Sequence, residues 1–571
     1  MTWISKARVL PFIGLVSLVG CTDGDPASPA EESSVHAILG GLGPGESLVL
    51  TGADTRKLFL AGGGSGAEYI VVPFHGARFT DSRLALEFVG DGVSGSGPSA
   101  TVAAALEPAG PLVGQALDTR GADAHMRFRE RSMREARALL RAEGGAAGED
   151  RVRLQRHAAT LALDVPAVGD LLTLNVQSEE PCFNPEYRTG RVVAVGERAI
   201  IVADTLNPEG GFEAEDYEAF LRVFDRRIHF VLTRYFGQPT DVDGNGRVII
   251  FFTSAVNDLS APGSGSLVGG FFYARDLFPQ TPTGGLAGCP GSNHAEIFYL
   301  LVPDPSREAQ EPWFSRESVA ATIPGVIGHE YAHLINAGRR IYVNGANDYE
   351  EIWLDEALAH IAEELLFYDE AQLEPGGNLN YSAVAATQRR VDAANRYLIG
   401  NLGRYRTLLA QPEASTIFEF DLAGRGASWS FLRYLIDHSE EDDEALIRRL
   451  ANSVVSGLDN LEAVFGGGIL DRARDWAVSV YLDDALPNVP DRYTQPSWNF
   501  RSIITTLYGA NEFPLQVRSL EPVLTERLSL KGGGAGFVRV RLEPAARAEL
   551  NTTSDGAVPP DGLHLTVVRT R

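Results

Sequence analysis

The segment Gly328-His329-Glu330-Tyr331-Ala332-His333-Leu334-Ile335-Asn336 places two imidazoles four positions apart, with a carboxylate beside the first. Residues four apart stand one above the other on a helix face. His329 and His333 can therefore offer two nitrogens to one metal ion, and Glu330 can point toward a water on that ion. The flanks support a buried helix, because Val319, Ile323, Val326, Ile327, Leu334 and Ile335 recur at helical spacings. Pro324 interrupts this pattern, and a start near Ser318 and a restart at Pro324 both remain compatible with it. His-Glu-x-x-His on a helix is the arrangement of zinc hydrolases.

A catalytic zinc takes three protein ligands and keeps one position open. A continuation with Gly at 336 and His at 339 is excluded, since those positions hold Asn336 and Arg339. Further along, Ile352, Leu354, Ala357, Leu358, Ile361 and Leu365 read as one helix. The loop before it contains Asn344-Gly345 and Asn347-Asp348, so the two helices can form an antiparallel pair. Glu356 then returns beside the histidines. The run Trp353-Leu354-Asp355-Glu356-Ala357-Leu358-Ala359 resembles the third-ligand helix of gluzincin-type zinc metalloproteases. The family pattern there is Trp-Leu-Asn-Glu-Gly-Leu/Phe-Ala, and Asp355 and Ala357 replace its Asn and Gly. Together with Ala295-Glu296-Ile297-Phe298-Tyr299-Leu300 and the histidine segment, this helix resembles the hyicolysin-like neutral metalloproteases over about residues 190–440.

The resemblance implies a thermolysin-like zincin catalytic domain with zinc held by His329, His333 and Glu356, and with Glu330 as the proton carrier. It implies an edge strand that pairs with substrate backbone, a place that chain order gives to Gly269–Arg275. It also implies a Tyr or His that steadies the oxyanion, for which Tyr381 and His360 are the candidates. His360 stands one turn after Glu356, where a partner for a zinc ligand would also sit. The expected activity is a zinc-dependent endopeptidase acting on proteins at the bacterial surface or outside the cell. An aminopeptidase is the alternative within enzymes, but a Gly-rich motif of the Gly-Ala-Met-Glu-Asn kind is missing upstream. A non-catalytic adhesin or scaffold on a zincin fold is the alternative outside them, and the four intact residues disfavour it. Serine and cysteine catalysis lack a motif.

The beginning of the chain reads as an address. Lys6 and Arg8 precede the apolar run Val9–Gly20, so residues 1–20 form a signal peptide. Its end, Leu18-Val19-Gly20-Cys21, resembles the bacterial lipobox, with Cys21 as the lipidated residue. Acyl chains at about 0.8 kcal/mol per buried methylene make such an anchor stable. Thr22 after the cysteine looks like outer-membrane sorting, so the expected location is the outer membrane or cell surface, or the medium after release. A formal charge of −25 argues against nucleic acid as a partner. The expected partners are a protein or peptide substrate and, through Cys21, the membrane. In an oxidising compartment Cys182 and Cys289 are expected to pair, with two separate thiols as the alternative.

The expected fold class is α+β and multidomain. Residues 21–34 are a polar tether. Residues 35–115 alternate short β-type runs with glycine turns and read as a β-sandwich. A charged helical linker covers 116–165, a zinc-binding catalytic domain 166–370, a helical lobe 371–500, and a small C-terminal β domain 501–571. Within the catalytic domain, Asp241-Val242-Asp243-Gly244-Asn245-Gly246 opens like a calcium loop, but its twelfth position is Phe252 instead of Glu. Calcium on Asp241, Asp243 and Asn245 and a plain Asx turn before a strand both stay open.

Overall fold

The computed structural model describes residues 37–38, 42–95, 122–141 and 165–571, apart from 181, 261–267, 284–285 and 310. The signal segment, the tether, Cys21 and the stretch 142–164 lie outside the described residues. Mixed α and β units build the chain, with three sheets and many helices. Among the described residues no helix is long and apolar enough to cross a membrane.

The N-terminal strands are β1 (Ala37–Ile38), β2 (Ser47–Thr51), β3 (Lys57–Ala61), β4 (Ala67–His75) and β5 (Arg83–Asp91). The middle of the chain carries β6 (Leu171–Asn175), β7 (Tyr187–Val195), β8 (Ala199–Asp204), β9 (Val248–Phe252), β10 (Gly270–Phe272) and β11 (Ile297–Leu300). The C-terminal strands are β12 (Arg518–Ser519), β13 (Thr525–Lys531), β14 (Val538–Leu542), β15 (Arg547–Thr553) and β16 (Leu563–Arg569).

The two β units expected at opposite ends of the chain are one body. One sheet runs β1-β3-β15-β5-β13 and the other β12-β14-β4-β16-β2. Strand β5 sits between β15 and β13, and β4 between β14 and β16, so N- and C-terminal strands share both sheets. The reason is visible in the burial. β5 alternates exposed and buried residues, which gives it one apolar face that needs a second sheet. Leu86 and Phe88 find that sheet in Val540, Leu565 and Val567, within one shared core. The separate boundaries 35–115 and 501–571 are thereby corrected to one ten-stranded sandwich.

β4 ties this sandwich to the rest. Its Tyr69 and Val71 belong to the sandwich core. Its Ile70, Val72 and Phe74 belong to the large core that also contains the helices. A strand buried on both faces reads as a continuous apolar run, and Tyr69-Ile70-Val71-Val72 does so.

The middle of the chain forms a six-stranded sheet in the order β10-β11-β9-β8-β7-β6. β8, β9 and β11 are parallel, and β10 runs antiparallel at one edge. A bridge between Cys182 and Cys289 closes a separation of 107 residues across this unit. Helix α1 (Ala122–Arg141) precedes the sheet in the chain. Helix α2 (Arg316–Gly338) packs on β10 and β11. Ser315 caps its N-terminus by accepting from the Ser318 backbone N–H. The helix passes through Pro324 without restarting, so the apolar stripe overrides the local cost of the proline. Gly325 and Gly328 allow close approach: an added Cβ would meet the Arg396 carbonyl oxygen at 2.4 Å and Leu366 at 2.4 Å. Helix α3 (Ile352–Ala371) follows after a π-turn at Arg339–Val343 and a short loop. Gly328 faces Leu366 while Asn336 reaches Asp355, so α2 and α3 are antiparallel. The rest is helical to Leu507, including Gln388–Tyr397, Ile399–Ala410 and helix α4 (Leu422–Asp437), which packs on α3.

Candidate metal centre

The antiparallel α2–α3 pair brings His329, His333 and Glu356 together in the buried interior. The two Nε2 atoms face each other at 3.1 Å. Glu356 Oε2 stands 3.5 Å from the first, and Oε1 3.7 Å from the second. Ligands about 2.0–2.2 Å from a tetrahedral zinc are roughly 3.3 Å from one another, so this triangle has the size such an ion requires. Oε2 of Glu356 is buried and accepts no hydrogen bond. A buried carboxylate oxygen without a hydrogen bond is costly; Arg425, whose Nε stands 3.4 Å away, offsets part of that cost by charge, and a coordinated cation would remove more. The residues present therefore fit a zinc ion.

Each histidine is oriented from behind. His329 Nδ1 donates to Glu363 Oε1 at 2.7 Å, and His333 Nδ1 lies 2.8 Å from Asp355 Oδ2. Asn336 Nδ2 in turn donates to Asp355 Oδ1 at 2.7 Å. A carboxylate on Nδ1 leaves Nε2 as the free lone pair and raises its basicity, the usual support for a metal-binding imidazole. Asp355 thus orients His333, a role that its place one residue before Glu356 does not suggest.

The charge balance points the same way. Burial pushes the His329 imidazole down, but Glu356 and Glu363 outweigh it and raise the group to about 9. Without an ion the carboxylates would hold a proton there in its place. Burial works against ionised Asp355 as well, yet His333 and Arg129 bring it down to about 2. Glu356 stays well below the carboxylate range against its burial, through Arg425, Arg129 and the two histidines.

Glu330 follows His329 on α2 and is 4% exposed. Its charge interacts with Arg129 and Arg425. Arg425 enters from α4, donates from Nε to the Phe420 carbonyl at 2.8 Å and stands 3.4 Å from Glu356 Oε2. Neither arginine carried a sequence signal, because both are brought in by tertiary packing.

His360 lies in the same cluster. Its ring centroid is 4.9 Å from that of His329, and its Nδ1 shares Glu363 Oε1 at 3.2 Å. Burial drives its imidazole down to about 3, so it is neutral. His360 and His329 thus share one carboxylate oxygen of Glu363. Tyr381 sits on the short helix Tyr381–Val384, which packs on Phe500–Leu507. Among the described residues no hydrogen bond, ion pair or ring contact joins it to the histidines.

Asp241, Asp243 and Glu296 form a second carboxylate group. Gly246 N–H donates to Asp241 Oδ1, Asn245 N–H to Asp243 Oδ1 and Arg247 N–H to Asn245 Oδ1. These are the bonds of an Asx turn leading into β9. Phe252, at the twelfth position, is buried and stacked on Phe220 at 5.5 Å. The arrangement gives calcium no support.

Comparison with known proteins agrees on the broad class. No family model matches the chain. The neutral metalloprotease ShpI of Staphylococcus hyicus is 32% identical over 142 residues, 25% of this chain. The matched part spans about 29% of the length of that relative. This similarity supports a metalloprotease, and a metalloprotease implies a metal ion, for which the cluster at His329, His333 and Glu356 is a candidate holder.

Proposed function

We propose that the chain is a zinc-dependent endopeptidase of the gluzincin type, similar to the hyicolysin-like enzymes, acting on proteins at or outside the bacterial surface. The observation that carries this reading is the triangle of His329 Nε2, His333 Nε2 and the Glu356 carboxylate, with one carboxylate oxygen buried and unsatisfied. Zinc bound there would polarise a scissile carbonyl and lower the pKa of a coordinated water from 15.7 toward about 7. Glu330, one residue from a ligand, would accept the water proton and deliver it to the leaving amine. Asp355 and Glu363 would keep the imidazoles in the tautomer that presents Nε2. Arg425 approaches from the helical lobe and adds positive charge beside Glu356. Peptide backbone would pair with β10, which among the described residues has a strand neighbour on one side only.

The test is metal content together with casein hydrolysis. At saturating zinc the purified chain should hold about one zinc, and a chelator should abolish a hydrolysis that added zinc restores. Casein cleavage that persists at full rate after the zinc has been stripped would sink the proposal.

The address is proposed with it: Cys21 as a lipid-bearing residue that anchors the enzyme. Cys21→Ser should move the protein from the membrane fraction to the soluble fraction, or leave the precursor uncut. A correctly processed Cys21→Ser protein that stays on membranes would point to a different anchor.

A further inference from the structure

Helix α1 lies across the metal-ligand cluster, where a plain connector between two domains has no reason to be. Phe128 packs on Phe271 of the edge strand β10 and on Tyr273 just beyond it, with ring centroids 5.0 and 5.3 Å apart. β10 is the strand that a substrate backbone would have to reach. One residue on, Arg129 enters the cluster. Its Nε donates to Glu356 Oε1 at 2.9 Å, its Nη2 donates to Asp355 Oδ2 at 2.8 Å, and the same Nη2 is 3.4 Å from His333 Nδ1. Ser132, Met133 and Ala136 continue the buried stripe. Arg137 and Arg141 fasten the far end of the helix to Asp348 at 2.8 and 2.6 Å. What remains between α1 and the site is a cavity of ≈ 10 Å³ lined by Met133, His333 and Asp355 among others. That is room for about one water and none for a peptide.

A helix that merely links two domains keeps its arginines in solvent, because stripping a guanidinium of water is expensive unless a carboxylate waits for it. Here the waiting carboxylates are the proposed third ligand and the residue that orients His333. We propose that α1 is an inhibitory plug: in the intact chain it closes the cleft, covers the edge strand and seats Arg129 on Glu356 as a cation competing with the metal. This rests on the metallopeptidase reading for what is inhibited, while the competition for Glu356 stands on contacts of its own. Arg129 and a metal ion draw on the same carboxylate charge, so each weakens the hold of the other. Activity then requires α1 to leave the cleft.

The experiment compares the full-length wild type with Arg129→Ala and with the double variant Phe128→Ala/Met133→Ala. The double variant loosens the helix without touching a carboxylate. Zinc affinity is read by competition with a chromogenic chelator, and the initial rate on casein is read at equal zinc occupancy. Both variants should bind zinc at least tenfold more tightly and cleave at least tenfold faster than wild type. Tighter zinc without any cleavage in all three proteins would keep the plug and remove the peptidase reading. Unchanged affinity and rate in both variants would overturn the plug. So would a lower rate at equal zinc in Arg129→Ala, which would make Arg129 part of the working site. Absence of zinc binding in all three would overturn it together with the metal centre.

Discussion

Glu330→Gln should keep its zinc and its fold while kcat falls by about 10²–10⁴, or further if one group serves as both base and acid. Glutamine has nearly the same shape and cannot take the water proton. Glu330 is not one of the three converging ligand groups, so the metal loses no donor. The residue is almost fully buried on α2, and its charge is felt by the guanidiniums of Arg129 and Arg425. The substitution therefore also removes one negative charge from an arginine-rich surrounding, which a melting curve of the zinc-loaded protein will register separately from turnover. Substrate pairing along β10 and the cleft walls is untouched, so KM should change little where it reports binding. A Glu330→Gln enzyme that turns over at close to the wild-type rate would show that the proton goes elsewhere. The metal would then be a structural clamp, and a non-catalytic surface role would become the better account.

The antiparallel pair α2–α3 was legible because helical spacing acts over four residues, and because a short loop forces two successive helices to lie side by side. The convergence of His329, His333 and Glu356 follows from those local rules, and so does the place of His360 one turn after Glu356. What stayed hidden depends on contacts between distant parts of the chain. Alternation in β5 told which face is buried, but nothing local told that its neighbours would be β13 and β15, over 400 residues later. The same holds for Arg129, whose partners Asp355 and Glu356 lie 226 and 227 residues downstream. Read locally, Arg129 belongs to a helix with interleaved acids, where a solvated face is the natural reading. Only the burial of Phe128, Met133, Ala136 and Leu140 on one side turns that helix into a docked element. Pro324 left two helix starts open, and packing chose the earlier one. A residue that ends helices in isolation is carried through α2 because Ile323 and Ile327, on either side of it, are fully buried.

Glu356→Ala should reduce zinc affinity at least a hundredfold, whereas Glu363→Ala should cost about 10–100-fold, the usual effect of losing a partner behind a ligand. The contrast matters because two sets of donors share His329: one with His333 and Glu356, the other with His360 and Glu363. Distances separate them. In the first set both imidazoles converge through Nε2, and the carboxylate keeps an unsatisfied oxygen for the ion. In the second, Glu363 already accepts from the Nδ1 atoms of both His329 and His360, so its charge is spent on hydrogen bonds. Accordingly His333→Ala should lose the metal, while His360→Ala should retain it with modest weakening. Stability should separate the variants too. Glu356 is fully buried beside Arg129 and Arg425, and removing it strands guanidinium charge in the interior. Breaking a buried pair from one side costs about 3–5 kcal/mol, so metal-free Glu356→Ala should melt well below metal-free wild type. If Glu363→Ala and His360→Ala instead lose zinc while Glu356→Ala and His333→Ala keep it, the ion sits in the second set. Glu356 would then be only the counter-charge for two arginines.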